Sequence, residues 1–137
     1  MRARTVLVLV LLGSPACPWR GYADVMRIHL EVLSGVAAKA AYNAAAGRRP
    51  ASNEVTELLY PLQRARQFAH QYRAYEARAS YARFVAALDR YEAFGGAIDA
   101  ARGDAARWAA ERSTVAARYD AWREAADQAR AALEREG

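Results

Sequence analysis

Alanine makes up 35 of the 137 residues, and no other feature constrains the fold of this chain more strongly. Alanine has the highest intrinsic helix propensity, whereas the chain has only eight glycines and four prolines to interrupt helices. Apolar side chains recur at alternating steps of three and four residues, as they do along one face of an α-helix. No segment has the alternating pattern of a β-strand. The sequence therefore predicts an all-α protein.

Two amphipathic helices are predicted in the first half of the chain. The first ends at Gly47, and after a loop over residues 48–52 either Ser52 or Asn53 can cap the second. Pro61 removes one backbone donor from the second helix, so we expect a kink or a restart there. The predicted apolar faces consist of Met26, His29, Leu33, Val36 and Ala40 in the first helix, and of Val55, Leu58, Leu62, Ala65, Ala69 and Tyr72 in the second.

Two further helices are predicted in the second half. The third begins near residues 78–80, with Ser80 as a candidate cap, and Asp104 caps the last helix after a short turn at Gly103. Four amphipathic helices with short connections predict an antiparallel four-helix bundle. The predicted faces consist of Tyr81, Phe84, Leu88, Tyr91, Gly95 and Ile98, and of Trp108, Arg112, Val115, Tyr119, Trp122, Ala126, Ala129 and Leu133.

Gly95 and Gly96 are adjacent inside the third predicted helix. Glycine costs about 1 kcal/mol relative to alanine in a helix interior. The pair therefore indicates either the close approach of a partner helix or of a flat cofactor, or a tolerated kink.

Residues 1–16 have the order of a secretory signal peptide. Two arginines precede an apolar run over residues 6–12, which is too short to span a bilayer, and small residues follow it. We predict cleavage after Ala16, with a cut after Ala23 as the alternative. The sequence thus predicts a periplasmic protein in which residues 17–137 form one four-helix-bundle domain.

Cys17 is the only cysteine, and it directly follows the predicted cut. In a lipoprotein this residue would be acylated and would tether the domain to a membrane. After an ordinary cut it would be an incidental thiol, and the sequence leaves both interpretations open. A single cysteine cannot form an internal disulfide, so the apolar core alone must stabilise the fold.

Charge and motif content exclude several classes of function. The net charge is +5, with two of the positive charges in the predicted leader, and this is mild for a nucleic-acid-binding domain. With two histidines and one cysteine, the chain offers no catalytic triad, no Glu-x-x-His di-iron motif and no Cys-x-x-Cys-His haem attachment motif. A glycine-rich phosphate loop is also absent. We therefore expect a protein that is not an enzyme.

Met26 and His29 are the candidate ligand pair. They lie three residues apart on the first helix, and thioether and imidazole are both suited to haem iron or copper. The alternative is structural, because methionine fills gaps in cores and a histidine on an apolar face usually bonds to a neighbouring group. Neighbours on one helical face approach a metal from the same side, so a second helix would have to supply the other axial ligand of a haem. His70 is poorly placed for this, since it lies on the polar side of the second helix.

From about Tyr22 to Arg123 the chain resembles the periplasmic soluble b-type cytochromes and cytochrome c′. The likeness rests on Asp24-Val25-Met26 opening the first helix, and on Ala97-Ile98-Asp99-Ala100 leading into Gly103 and an alanine-rich last helix. In the b-type family a Met on the first helix and a His late in the last helix hold the haem. The resemblance implies non-covalent haem b, electron transfer to a redox partner protein and Met26 as an axial ligand, with His29 as the nearest alternative. The second ligand position falls near Arg123, within Ala121-Trp122-Arg123, and arginine does not ligate iron.

A haem-free alternative follows from an arginine-rich region between Leu58 and Leu88, in which Glu76 is the single acid. Arginines interleaved with aromatic residues suit an acidic protein or a lipid headgroup, although a solvated helix face has the same pattern. Nucleic acid is disfavoured by the predicted export. A minor alternative is copper binding by the candidate ligand pair. The predicted partner-binding residues are Arg64, Arg66, Arg73, Arg78 and Arg83.

Overall fold

The computed structural model describes residues 16–137, with side chains from Arg20 onward. Most of the predicted leader and the Cys17 side chain therefore lie outside the described residues. Within this range the protein is all-α, as predicted, and no strand occurs. The elements are α1 (Ala16–Ala45), α2 (Ser52–Gln71), a 3-10 turn (Arg73–Tyr75), α3 (Ala79–Ala101), α4 (Ala105–Ala110) and α5 (Arg112–Glu136).

Local signals fix several helix ends. Gly47 has a φ of 84° just after α1, a left-handed conformation that glycine adopts without steric cost. Asp104 caps α4 as predicted, because its Oδ1 accepts from Ala106 N at 2.8 Å and from Arg107 N at 3.2 Å. The predicted cap of α2 is wrong, since Ser52 is already the first helical residue.

The start of α2 is capped instead by the carboxylate of Glu54, which bonds to the backbone three residues earlier. Ala51 is the N-cap residue, and its backbone N–H donates to Glu54 Oε1 at 2.8 Å. This is one half of a capping box, and it satisfies a donor that a helix start otherwise leaves unpaired. Farther along, α2 continues without a break through Pro61, so the predicted restart does not occur.

The last predicted helix is two helices. The chain leaves helical geometry at Glu111, which separates the short α4 from α5. Trp108 on α4 is buried against the core, whereas Arg112 at the start of α5 is exposed rather than part of the apolar face. Arg112 Nη2 donates to Ala45 O at 2.6 Å and so satisfies a carbonyl at the end of α1.

One continuous apolar core joins the helices. On α1 its centre is formed by Tyr22, Met26, Leu30 and Leu33, all fully buried. The expectation that Met26 faces the core is therefore right, whereas the same expectation for His29 is wrong, because its side chain is only half-buried. At this point of α1 the residue that faces the core is Leu30, one position after the predicted His29.

Aromatic side chains fix α2, α3 and α5 in the middle of the core. The Trp122 ring packs edge-on against Tyr91, with ring centroids 5.2 Å apart. The Tyr91 hydroxyl donates to Leu58 O at 2.6 Å, which satisfies a buried polar group across the α2–α3 interface. Burial raises the pKa of Tyr91, because the phenolate would lose its hydration there.

Gly95 marks the closest approach of α2 to α3. A Cβ placed on Gly95 would lie 2.6 Å from Leu59 Cδ2, whereas a Cβ on Gly96 would meet nothing within 4 Å. Of the alternatives that the sequence left open for this pair, the close approach of a partner helix applies to Gly95.

Ser80 joins three helices at the opposite end of the core from Trp108. It is fully buried inside α3, so the prediction that it caps this helix is wrong, and Arg78 is the N-cap residue. Ser80 Oγ donates to Glu136 Oε1 at 2.5 Å, and Ser80 N donates to Glu136 Oε2 at 2.9 Å. The Tyr22 hydroxyl lies 2.9 Å from Ser80 Oγ and is left as the donor of that bond.

Candidate functional site

A groove of about 700 Å³ lies between α1 and α2 and brings both histidines of the chain to one surface. We call it the α1–α2 groove. Its lining combines positive charge, imidazole and aromatic rings. The lining residues are Val25, His29, Arg64, Arg66, Gln67, Phe68, His70, Gln71 and Tyr72.

His29 lies at the wall of the groove. Its ring packs against Phe68, with ring centroids 5.1 Å apart. Burial lowers the pKa of His29 below its usual 6.5, and the nearby charge of Arg64 lowers it further. The neutral form of His29 is therefore favoured at pH 7.

His70 is exposed on the polar side of α2, as its spacing in the sequence predicts. It lines the same groove as His29. Arg73 Nη1 lies 3.2 Å from His70 Nε2 and donates to His70 O at 3.0 Å. Because a guanidinium can only donate, Nε2 acts as the acceptor and a neutral His70 carries its proton on Nδ1. These two contacts place the Arg73 guanidinium beside His70, at the edge of the groove.

Arg64 is the cation in the groove that has no acidic partner among the described residues. Its Nη1 donates to the Tyr60 hydroxyl at 3.1 Å, and its guanidinium lies 6.0 Å from the centre of the Tyr60 ring. Within residues 20–137 no carboxylate lies within ion-pair distance of it. Arg66 differs, because its Nη2 pairs with Asp89 at 3.0 Å and Glu92 at 2.5 Å on α3.

The five predicted partner-binding arginines are spread over more than one surface. Arg64 and Arg66 line the α1–α2 groove, and Arg73 adjoins it through His70. Arg78 lies over the Tyr75 ring, 5.6 Å from its centre, in the α2–α3 connection. Arg83 is directed toward α5, where its Nη1 donates to Gln128 Oε1 at 3.0 Å.

Met26 occupies a different environment from His29. Its side chain has no solvent exposure and belongs to the continuous core, and none of the described grooves and cavities is lined by it. A flat cofactor of haem size needs a cleft of several hundred Å³ beside its ligand. The packing of the described residues around Met26, which leaves its side chain no exposed surface, does not provide such a cleft.

The position near Arg123 is also displaced from Met26 along the helices. Trp122, the preceding residue, packs on Tyr91, which is eleven residues beyond Ser80 on α3. Met26 is only four residues beyond Tyr22, which bonds to Ser80. A helix rises 1.5 Å per residue, so Met26 and the position near Arg123 lie about 10 Å apart along the helix axes. The two positions therefore do not face each other across one iron. The described residues therefore do not fit a haem held between them.

Across the described residues, no three His, Cys, Asp or Glu side chains come together as a metal-binding group. None of the helices in this part of the chain is long and apolar enough to cross a membrane.

No protein-family model, curated protein or solved structure matches the chain. The resemblance to the four-helix cytochromes therefore stays a prediction from the sequence.

Proposed function

We propose that the protein is an exported, antiparallel four-helix bundle that binds an acidic segment of an envelope protein in its α1–α2 groove, without haem. The observation that carries this proposal is Arg64, a cation with no acidic partner among the described residues, in a groove that also holds His29 and aromatic rings. Electron transfer through haem bound at Met26 has weaker support, because the packing there leaves no cleft.

Contacts between helix ends support the antiparallel arrangement. Tyr81, near the start of α3, donates to Ala69 O near the end of α2 at 2.5 Å. Arg112 at the start of α5 bonds to Ala45 at the end of α1, and the end of α5 in turn meets the start of α3. Short connections between helices favour such antiparallel neighbours, and α4 then forms part of the last connection.

Core packing at the start of α1 supports cleavage after Ala16 rather than after Ala23. The later cut would remove Tyr22, which is fully buried and bonded to Ser80. The intact mass of the mature protein tests this. We expect the mass of residues 17–137, with or without a lipid on Cys17, and a mass starting at Asp24 would contradict it.

The shape and chemistry of the groove favour a peptide segment as its occupant. A carboxylate of the partner can pair with Arg64, and an apolar or aromatic side chain can cover Phe68 and Tyr72. A concave groove takes up an extended segment, whereas a flat bilayer surface would contact only its rim. Neutral His29 can also take up a proton once a carboxylate lies beside it.

The proposal is tested by calorimetric titration with a glutamate–tyrosine copolymer. We expect saturable binding that weakens as salt is added, and Arg64→Ala should weaken it about fivefold, as expected for one partly exposed ion pair. Arg118→Ala is the matched control, because it removes the same charge from an exposed position on α5.

Two results would contradict the proposal. Equal losses in Arg64→Ala and Arg118→Ala would mean that net charge, and not the groove, binds the polymer. Stronger binding to vesicles of anionic phospholipid than to the copolymer would identify a membrane surface as the partner instead.

A further inference from the structure

The outward side of α1 carries most of the exposed apolar surface of the described residues. Four large hydrophobic side chains are exposed among residues 20–137, and three of them lie on α1: Ile28 is 57% exposed, Val32 46% and Tyr42 76%. Residues 28, 32, 35, 39 and 42 recur at alternating steps of four and three, so they share one side of the helix. We call this surface the α1 outer face, which consists of Ile28, Glu31, Val32, Gly35, Ala38, Lys39 and Tyr42.

No described element covers the α1 outer face, since all seven of its residues are exposed. Single apolar side chains scattered over a surface are normal, whereas apolar side chains grouped on one exposed surface mark a contact with another molecule. None of the seven residues lines the α1–α2 groove. The α1 outer face is therefore a separate candidate for a contact surface.

Gly35 lies at the centre of this face. A Cβ placed on Gly35 would meet nothing within 4 Å, so the packing of the described residues does not require a glycine there. A glycine in a helix interior costs about 1 kcal/mol relative to alanine. Gly96 on α3 also has open space beside it, but it lies between the exposed acids Glu92 and Asp99. Gly35 lies instead among apolar side chains, where a glycine allows the backbone of a second helix to come close.

The α1 outer face is complementary to itself when two copies of α1 run antiparallel. Ile28 lies seven residues before Gly35 and Tyr42 seven residues after it, about 10 Å on either side along the helix. With the two Gly35 residues opposite each other, Ile28 of one copy therefore comes to the level of Tyr42 of the other. Every such contact occurs twice, as a two-fold symmetric interface requires.

The charges of this face follow the same symmetry. Glu31 lies four residues before Gly35 and Lys39 four residues after it, so the carboxylate of one copy comes to the level of the ammonium group of the other. Neither residue makes an ion pair within the part of the chain described. In a parallel arrangement Glu31 would face Glu31 and Lys39 would face Lys39, and like charges placed opposite each other are unfavourable.

We propose that the α1 outer face binds a second copy of this chain, so that two α1 helices pack antiparallel across Gly35 in a two-fold symmetric dimer. The complementary charges favour a second copy as the occupant, because the face supplies both the acid and the base of each pair. The interface is one helix wide and smaller than the standard size of about 1,600 Å², so we expect a dissociation constant in the micromolar range.

Sedimentation equilibrium of the mature protein tests the proposal, with a reductant present so that Cys17 cannot cross-link two copies. We expect the mass to rise with protein concentration from that of a monomer to twice that value. Gly35→Arg should weaken dimerisation at least tenfold, because its side chain enters the crossing point of the helices. Gly96→Arg is the matched control, since it adds the same side chain in open space on α3, and it should leave dimerisation unchanged.

Charge reversal tests the antiparallel pairing itself. Glu31→Lys should weaken dimerisation about tenfold, because two ion pairs become two contacts between like charges. The double variant Glu31→Lys with Lys39→Glu exchanges the two charges and should restore dimerisation to within about twofold of the wild type.

Three results would overturn the proposal. A monomer mass at every concentration would mean that the α1 outer face does not bind a second copy. Equal losses in Gly35→Arg and Gly96→Arg would mean that added charge, and not this face, controls association. A double variant that dimerises no better than Glu31→Lys would rule out the antiparallel pairing. Binding of the copolymer in the α1–α2 groove is a separate measurement, because the dimer contact uses none of the groove's lining residues.

Discussion

Replacing Gly95 with alanine should leave the stability of the protein unchanged or lower it, whereas the same replacement at the adjacent Gly96 should stabilise it. Both glycines lie inside α3, so each substitution gains the same helix propensity, about 1 kcal/mol. Only the surroundings differ, since Gly96 is exposed with open space beside it. The pair therefore isolates the steric effect of the α2–α3 approach.

The magnitude follows from the contact with Leu59. A methyl group at Gly95 would lie 2.6 Å from Leu59 Cδ2, so the leucine must leave its present position. Overpacking of this kind costs about 1–3 kcal/mol. After subtraction of the helix propensity, we expect Gly95→Ala to lower the free energy of unfolding by about 0–2 kcal/mol. Gly96→Ala should raise it by about 0.5–1 kcal/mol.

Urea denaturation followed by circular dichroism measures both values. The leucine contact is then tested by repeating Gly95→Ala in a Leu59→Ala background. With the leucine side chain removed, the methyl group has room, and Gly95→Ala should recover most of its helix-propensity gain. Equal stabilisation by Gly95→Ala and Gly96→Ala in the wild-type background would refute the reasoning, because it would mean that α2 does not approach α3 closely at this point.

Four further predictions concern the other buried or titrating groups. Ser80→Ala should lower the free energy of unfolding by about 1–3 kcal/mol in urea denaturation, because Glu136 and Tyr22 both lose a partner. Stability should fall as the pH drops below 6.5, because the pKa of His29 is lowered in the folded state and the unfolded chain therefore binds the proton more readily. Thermal melts of His29→Gln should show a smaller decrease in stability over this pH range. Burial raises the pKa of Tyr22 from 10 to about 12. The stability that Tyr22 contributes to the fold is therefore intact below pH 10 and is lost between pH 10 and 12. Thermal melts of Tyr22→Phe should show a smaller loss of stability over this range. Added haem should give no saturable Soret band in absorption spectra, and a band that Met26→Ala abolishes would contradict the haem-free proposal.

Matched variants control these measurements. Ser113→Ala removes a hydroxyl from an exposed position of α5 and should leave stability within about 0.5 kcal/mol of the wild type. His70→Gln removes the exposed imidazole and should retain the acid-side loss of stability that His29→Gln removes. If His70→Gln abolished that loss instead, the assignment of the pH dependence to His29 would be wrong.

Helix content and local caps were predictable because their signals lie within a few residues. The spacing of Phe84, Leu88 and Tyr91 predicts one face of α3, and Asp104 is recognisable as a cap from the turn before it. The break at Glu111 has no such signal, because no glycine or proline marks it. Ala51 was missed as a cap because the carboxylate of Glu54, and not the capping residue itself, supplies the bond.

The α1–α2 groove was only partly predictable. The sequence identified Arg64 and His29 separately, as a basic residue and as a ligand candidate, and it placed His70 apart from both. Whether these three side chains meet depends on the register between α1 and α2, which the spacing within one helix does not contain. The structure supplies that register through contacts such as the packing of His29 on Phe68.

The most direct test of the central claim is a two-dimensional amide spectrum of the mature protein during titration with the glutamate–tyrosine copolymer. The account predicts saturable shifts at His29, Arg64 and Phe68 in the α1–α2 groove, with the exposed outer face of α5 unchanged. Shifts spread evenly over the arginines of all helices, or confined to residues outside the groove, would contradict it.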